Sequence, residues 1–530
     1  VFASLYSTPH FGHFFIGQFL PRAVLGEVPS VSHKNSKRKR QTIEGTARSA
    51  FGFQRRLSSP YDDVQTQFHY FANRFFGEQG VSKLREKLLV IGGVAAGLAA
   101  AMQARRLAPD LEITVIEKSG DISYGACGIP YVISGLIPSL DQLTVHTPEY
   151  FRQKHDIDLR FHTEAIEVLP AKSVVRISAN KEAQELGYSQ LVIASGAAAV
   201  CPPLPGHDLD GIFVIRHLDD ARRLLDYIER ARPRTAVVVG AGYIGLEMAE
   251  AFCSRGLRTT VLEASTNVMS TLGGTLCERV AAEMRDHGVE MSFAERVSGF
   301  EGKAGRVTRV ATETGKAVDA DIVAIGVGVK PNVTLAQSAG IELGESGAIR
   351  TDAEQRTSVR NIFAAGDCCE VIHRISGRGI WFPLGQPAVK QGWTAGENVA
   401  GGKARYAGVV GTNVVKVFDL ELARTGLSLA EAIAAGFEAS AVESKSASRA
   451  GYYPGGSEIT TCVVYDRRGR LLGAQMVGRE GVAHRIDVYA AALHSNVTVD
   501  EVVGFDLAYA PPFAPTIDPI IRAAHKATKK

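Results

Sequence analysis

The segment "AVVVGAGYIGLEMAEAF", Ala236 to Phe252, constrains the fold more than any other part of the chain. A short apolar run ends on Gly240, and Gly242 and Gly245 follow at G-x-G-x-x-G spacing before a stretch with helical periodicity. This is a strand, a tight turn and a helix amino terminus, where backbone N-H groups and the helix dipole favour a pyrophosphate. The next apolar run, "TTVLEAS", closes on Glu263, eighteen residues past Gly245. An acid at that distance reaches a ribose, accepts from a free 2′-hydroxyl and repels a 2′-phosphate. No Arg follows in "EASTN", so NADH is favoured over NADPH.

A looser copy of the same pattern lies upstream. "KLLVIGGVAAGLAAAMQARRL", from Lys87, places Gly92, Gly93 and Gly97 after a short strand, with Val94 where the strict pattern has its second glycine. Glu117 closes "EITVIEKS" twenty residues beyond Gly97. Alone this motif is weak; beside the strict copy it predicts two mononucleotide folds in one chain. A length of 530 residues with 54 glycines suits several α/β domains.

Composition narrows the function. A net charge of +3 on 59 basic and 56 acidic residues favours neither nucleic acid nor an anionic membrane as partner. No apolar run reaches the ~18 residues of a membrane span. Seven irregularly spaced cysteines argue for a reducing compartment and against a disulfide framework, and no Cys/His spacing matches a metal site. Residues 1–86 hold twelve Lys/Arg against six Asp/Glu, including "KNSKRKR". They read as a basic extension, disordered or targeting.

Two further stretches decide which nucleotide each fold binds. "YSQLVIASGAAAV", containing Ala194 and Gly196, and "RNIFAAGDCCEV", containing Gly366 and Asp367, resemble the second and third flavin-contacting motifs of two-dinucleotide flavoproteins. "ADIVAIGVGVKPN", Ala320 to Asn332, resembles the strand that returns such a chain to its FAD domain. On these motifs and their order the chain is identified as a member of the pyridine nucleotide-disulfide oxidoreductase superfamily, over Lys87 to Ala524. The resemblance implies an α/β fold with two Rossmann-like domains, the FAD domain being split by the NADH domain, and a C-terminal α+β dimerisation domain. The expected boundaries are 87–205 and 327–405 for FAD, 206–326 for NAD(P)H, 406–524 for dimerisation and 525–530 for a tail. In that family Asp367 bonds the ribityl chain, backed by Gly366.

The reactive centre is read from "SYGACGIPY", Ser123 to Tyr131. Most disulfide reductases of this superfamily carry a C-x-x-x-x-C pair there; here Cys127 stands alone. The chain thus resembles the single-cysteine branch of coenzyme A disulfide reductases, NADH oxidases and NADH peroxidases. Peroxidases and many oxidases of that branch place a histidine in the first glycine loop, where this chain has Ala95. Coenzyme A disulfide reductases instead resemble it at Gln103, Arg106, Ser123 and Arg160, positions that contact coenzyme A. A family Asn just before the cysteine is Ala126 here. Two tyrosines of the dimerisation domain, Tyr452 or Tyr453 in "RAGYYPGG" and Tyr509 in "DLAYAPPFAPTIDP", match residues that reach the partner's cysteine in a homodimer.

Cys127-Gly128-Ile129-Pro130 reads as a helix start, which is expected to lower the thiol pKa. The function implied is electron transfer from NAD(P)H through FAD to Cys127, which reduces coenzyme A disulfide, with a tyrosine hydroxyl, Tyr453 or Tyr509, as proton donor. An NADH oxidase or peroxidase, or a persulfide or polysulfide reductase, is the alternative on the same scaffold. A redox-signalling flavoprotein with a partner-binding role is the second. Cys368 and Cys369 read as packing residues, and His484 and His494 as structural.

Overall fold

The computed structural model describes residues 86–179, 182–269 and 271–529. The basic extension, apart from Glu86, lies outside the described residues.

The strand Lys87–Ile91 is buried from Leu88 onward, as expected for a central parallel strand covered on both faces. It pairs in parallel with Glu112–Ile116 on one side and Gln190–Ile193 on the other. Ile157–Arg160 and Ile362–Ala364 complete a five-stranded parallel sheet. The last of these comes from far down the chain, so this sheet is assembled from two separate segments.

Between those segments lies a second parallel sheet, ordered Glu290–Phe293, Arg258–Glu263, Thr235–Val239, Ile322–Ile325 and Ile212–Val214. The strict glycine motif follows its central strand. Ala197–Ala199 and Val329–Pro331 pair antiparallel as the chain leaves the first sheet and returns to it. The stretch Ala320–Asn332 therefore supplies one strand to the second sheet and one to this connecting ribbon.

The C-terminal part is an antiparallel sheet, ordered Asn413–Val417, Leu420–Gly426, Leu471–Gly478, Glu458–Asp466 and Ala439–Ala447. Leu471–Gly478 is buried along its whole length, so its two faces are both covered. The helices Val482–His494 and Pro519–Thr528 seat Ile486, Tyr489, Ile520 and Ala524 on the core beside it. The last helix runs through Thr528, so residues 525–528 are helical where a tail was expected; its apolar side continues to the buried Ala527. Among the described residues no helix is long and apolar enough to cross a membrane.

One core cluster joins Ile129, Val132 and Ile133 of the cysteine helix to Leu246 and Phe252 of the second dinucleotide fold and to Val415 and Leu422 of the C-terminal sheet. The cysteine helix is thus packed against both the second dinucleotide fold and the C-terminal sheet.

Candidate active site

Both glycine loops close onto an acid in the same way. Glu117 Oε2 accepts from the Gly93 amide at 2.9 Å, and Glu263 Oε2 accepts from the Ala241 amide at 2.6 Å. Their second oxygens accept from the Ser119 and Ser265 amides at 2.9 and 2.7 Å. Each acid is therefore held at the end of its strand, pointing to the loop where a ribose lies in such folds.

The third glycine of each motif is a close-packing requirement. A Cβ on Gly97 would stand 1.9 Å from Gly92 O, and one on Gly245 would stand 2.0 Å from Gly240 O. At Gly242 a Cβ would meet nothing within 4 Å, which leaves that side of the turn open to a ligand's phosphates. Val94 at the matching position of the first loop precedes the helix Ala95–Leu107. A recess of about 540 Å³ adjoins Glu117, lined also by Ser119, His162 and His217. Open cradles, helix amino termini and strand-end acids fit two dinucleotides.

Asp367 follows Gly366, whose amide donates to the buried Gln391 Oε1 at 2.6 Å. Its carboxylate Oδ2 accepts from Arg216 Nη2 at 2.5 Å, and among the described residues no donor reaches Oδ1. Ala194 and Gly196 lie just past the strand Gln190–Ile193, with the Ala194 amide bonded to Ile91 O at 2.8 Å. The three flavin-like motifs thus meet at the carboxyl edge of one sheet.

Cys127 is brought to the same edge by its loop. The Ser123 amide donates to Gly93 O at 3.0 Å, and the Gly125 amide to Leu143 O at 2.8 Å. Tyr124, buried, has its hydroxyl 3.2 Å from His217 Nδ1. Cys127 itself lies in a 3₁₀ turn, Ala126–Gly128, that runs into the helix Ile129–Ser134 with a proline in its first turn.

The expected lowering of the thiol pKa is not what the surroundings produce. Burial raises it, Glu247 and Asp367 raise it further, and Arg216 and a backbone N-H oppose them. The residue is open to solvent on one side while protein encloses the rest, and that desolvation outweighs the turn's N-H groups.

Glu247 was not singled out from the sequence, although it stands two residues beyond Gly245. Burial, then Glu250, pushes its carboxyl up to about 7. It lines a cavity of about 370 Å³ with Pro130, Tyr131, Glu250 and Lys416, and Lys416 pairs with Glu250 at 3.1 Å rather than with Glu247.

The tyrosines lie elsewhere on the chain. Tyr452 and Tyr509 place their hydroxyls 3.1 Å apart, while the Tyr453 ring lies beneath the Arg449 guanidinium at 5.9 Å. Tyr452 is 77% exposed and the neighbouring Phe513 76%. The hydrogen bond between the two draws the Tyr509 pKa down and raises that of Tyr452.

The four expected coenzyme A contacts are spread out. Gln103 and Arg106 lie on one side of the helix Ala95–Leu107, with Gln103 Nε2 donating to Glu397 at 3.2 Å. Ser123 sits beside the first glycine loop with φ of 51°, and Arg160 pairs with Asp158 at 2.8 Å. Cys368 and Cys369 are buried with their sulfurs 3.7 Å apart, which suits a packing role.

Two dinucleotide cradles, one at the edge of each parallel sheet, with a solvent-accessible thiol beside the first, define an oxidoreductase that uses FAD and NAD(P)H. The chain belongs to the pyridine nucleotide-disulphide oxidoreductase family, which it matches over residues 86–392, with that family's dimerisation domain at residues 412–519. It is 40% identical over 443 residues to an NAD(P)H sulfur oxidoreductase (CoA-dependent) of Pyrococcus abyssi, covering 83% of this chain and 98% of that one. It is 32% identical over 445 residues to a coenzyme A disulfide reductase of Staphylococcus haemolyticus, covering 83% and 99%. A solved NAD-dependent persulfide reductase from A. fulgidus superposes with a TM-score of 0.82 at 38% identity, covering 84% of this chain and 83% of that one.

Proposed function

We propose that this protein is an NADH-linked reductase of coenzyme A disulfide, acting as a homodimer through Cys127. The observation that carries the reading is the solitary thiol fastened to the flavin-binding glycine loop by Ser123. With no second cysteine beside it, the cycle needs an external sulfur. Residues 87–205 and 327–405 form the FAD unit in this reading, 206–326 the NADH unit and 406–524 the dimerisation unit.

FAD, when bound, would supply the chemistry of accepting a hydride from reduced nicotinamide and passing an electron pair to sulfur. Gly92, Gly93, Gly97, Glu117, Ala194, Gly196, Gly366 and Asp367 hold it, the carboxylate of Asp367 having Oδ1 to offer a ribityl hydroxyl. Gly240, Gly242 and Gly245 seat the nicotinamide dinucleotide, and Glu263 selects NADH by accepting from a 2′-hydroxyl. Cys127 Sγ attacks one sulfur of coenzyme A disulfide; a Cys127–S bond forms, the S–S bond breaks and one coenzyme A thiolate leaves. The incoming electron pair breaks the Cys127–coenzyme A disulfide, returning the Cys127 thiolate and a second coenzyme A thiolate. Tyr509 of the partner subunit, with a hydroxyl made more acidic by the partner's Tyr452, donates a proton to the departing coenzyme A thiolate and regains one from water. Gln103, Arg106, Ser123 and Arg160 contact the coenzyme A moiety.

A second reading has its own support. The relative from Pyrococcus abyssi, a sulfur oxidoreductase, is 40% identical to this chain, against 32% for the disulfide reductase of Staphylococcus haemolyticus. A persulfide or polysulfide can replace the second sulfur of coenzyme A disulfide at the same thiol. Initial rates of NADH oxidation with coenzyme A disulfide, polysulfide, oxygen and hydrogen peroxide decide. The fastest turnover is expected with coenzyme A disulfide; faster turnover with polysulfide selects the second reading, and oxygen or peroxide outpacing both removes the first and second alike.

A further inference from the structure

The helix Gly385–Val399 lies close against the helix Ala95–Leu107 because it turns glycines toward it. A Cβ on Gly392 would stand 2.3 Å from Ala96 O and 2.8 Å from the Ala99 methyl, and one on Gly396 would stand 2.2 Å from Ala100 O. Further along, Gln103 Nε2 donates to Glu397 Oε2 at 3.2 Å. These contacts follow the same order on both helices, so the two run side by side in one direction.

Their outer residues form two neighbouring rows. Lys390, Trp393 and Glu397 stand three and four apart on one helix, and Ala99, Gln103 and Arg106 stand four and three apart on the other. Trp393 follows the buried Gly392 that meets Ala99, so its indole borders the smallest side chain of the second row. It is 51% exposed. The chain's other tryptophan, Trp381, is less exposed and donates its indole N–H to Asp367 O at 2.7 Å. Lys390 and Arg106 are exposed as well, and among the described residues neither pairs with a carboxylate, whereas Arg105 donates to the His155 and Asp156 carbonyls. The amino end of the helix Ala95–Leu107 adjoins the first glycine loop, to which Ser123 fastens the cysteine loop, so the groove between the rows leads away from the thiol.

We propose that Trp393 is a specificity-determining residue for the disulfide substrate: its indole stacks on the adenine of coenzyme A, with Lys390 and Arg106 facing the phosphates. The proposal rests on the reading of this protein as a coenzyme A disulfide reductase. An open indole face gives a purine a flat apolar partner, and the two uncommitted cations complement phosphate charge.

The test is steady-state turnover of the full-length, flavin-loaded protein with coenzyme A disulfide and with pantethine, the same disulfide without its nucleotide. Trp393→Leu is expected to raise KM for coenzyme A disulfide about tenfold, the loss of one base–aromatic stack, and to leave KM for pantethine within about twofold. Trp393→Phe keeps a π-face and is expected to stay within about threefold of the parent for both. An equal rise for both substrates, a leucine variant that matches the parent, or a change of sedimentation mass with an unchanged KM ratio overturns the proposal. Indole fluorescence gives a readout that does not need turnover: coenzyme A is expected to quench the parent and not Trp393→Leu, and equal quenching of both overturns the stack. A parent protein that does not turn over coenzyme A disulfide removes the reductase reading, and the fluorescence titration still decides the role of Trp393.

Discussion

The hydroxyls of Tyr452 and Tyr509 stand 3.1 Å apart on two loops that are 57 residues distant in sequence. One hydroxyl donates to the other, so the pair shares a proton position and Tyr509 becomes the more acidic member. A phenol donates only while protonated, so a lowered pKa brings its loss to lower pH than for an ordinary tyrosine. Tyr509→Phe is expected to cut disulfide turnover by about 10²-fold while NADH still bleaches the flavin at the parent rate. Tyr452→Phe removes the lowering bond and is expected to shift the alkaline limb of kcat upward. Steady-state pH profiles and anaerobic stopped-flow absorbance check both.

Cys127→Ser removes the only thiol placed at the cysteine loop while leaving the glycine loops intact. Disulfide reduction is expected to fall to background, with flavin content and the rate of flavin reduction by NADH unchanged. Turnover with coenzyme A disulfide that persists in this variant contradicts the assigned role.

Glu247 carries a penalty that depends on pH. Its folded-state pKa, about 7, lies above the model-peptide value of 4.5. Below the lower value it is neutral in both states, so it costs nothing there. Between pH 4.5 and about 7 the unfolded chain gives up this proton while the folded protein keeps it, so stability falls across that window by on the order of 3 kcal/mol and levels off above it. Glu247→Gln is therefore expected to stabilise the protein above neutral pH and to leave it unchanged in acid. Urea melts at two pH values measure the difference.

Glu263 offers its carboxylate at the end of the second sheet's strand Arg258–Glu263. Glu263→Ala is expected to raise KM for NADH about tenfold, the worth of one hydrogen bond to a charged group, and to narrow the preference over NADPH. Parallel KM measurements with the two nucleotides test it; an unchanged ratio removes the assigned selectivity.

Gly97→Ala inserts a methyl where a Cβ would lie 1.9 Å from a backbone oxygen. The helix must move off the strand, at a cost of about 1–3 kcal/mol, and FAD is expected to bind more weakly. Denaturant midpoints and flavin content after gel filtration report both effects.

The sequence alone determined the two dinucleotide folds, because glycine spacing, strand length and the following acid are local requirements of one turn. It also marked Cys127, since the absence of a second cysteine nearby is visible without coordinates. Arg216 and Glu247 were not legible: neither belongs to a short motif with its own signature, and their importance comes from which charges lie across from them. Arg216 meets Asp367 across 151 residues, and only folding of the split domain creates that pair. The choice of Tyr452 over Tyr453 as the partner of Tyr509 was likewise a matter of which way two adjacent side chains point. The direction of the thiol's pKa reversed for the same reason. A turn's N-H groups are foreseeable from sequence, whereas desolvation and a facing carboxylate depend on what the tertiary structure packs around the sulfur.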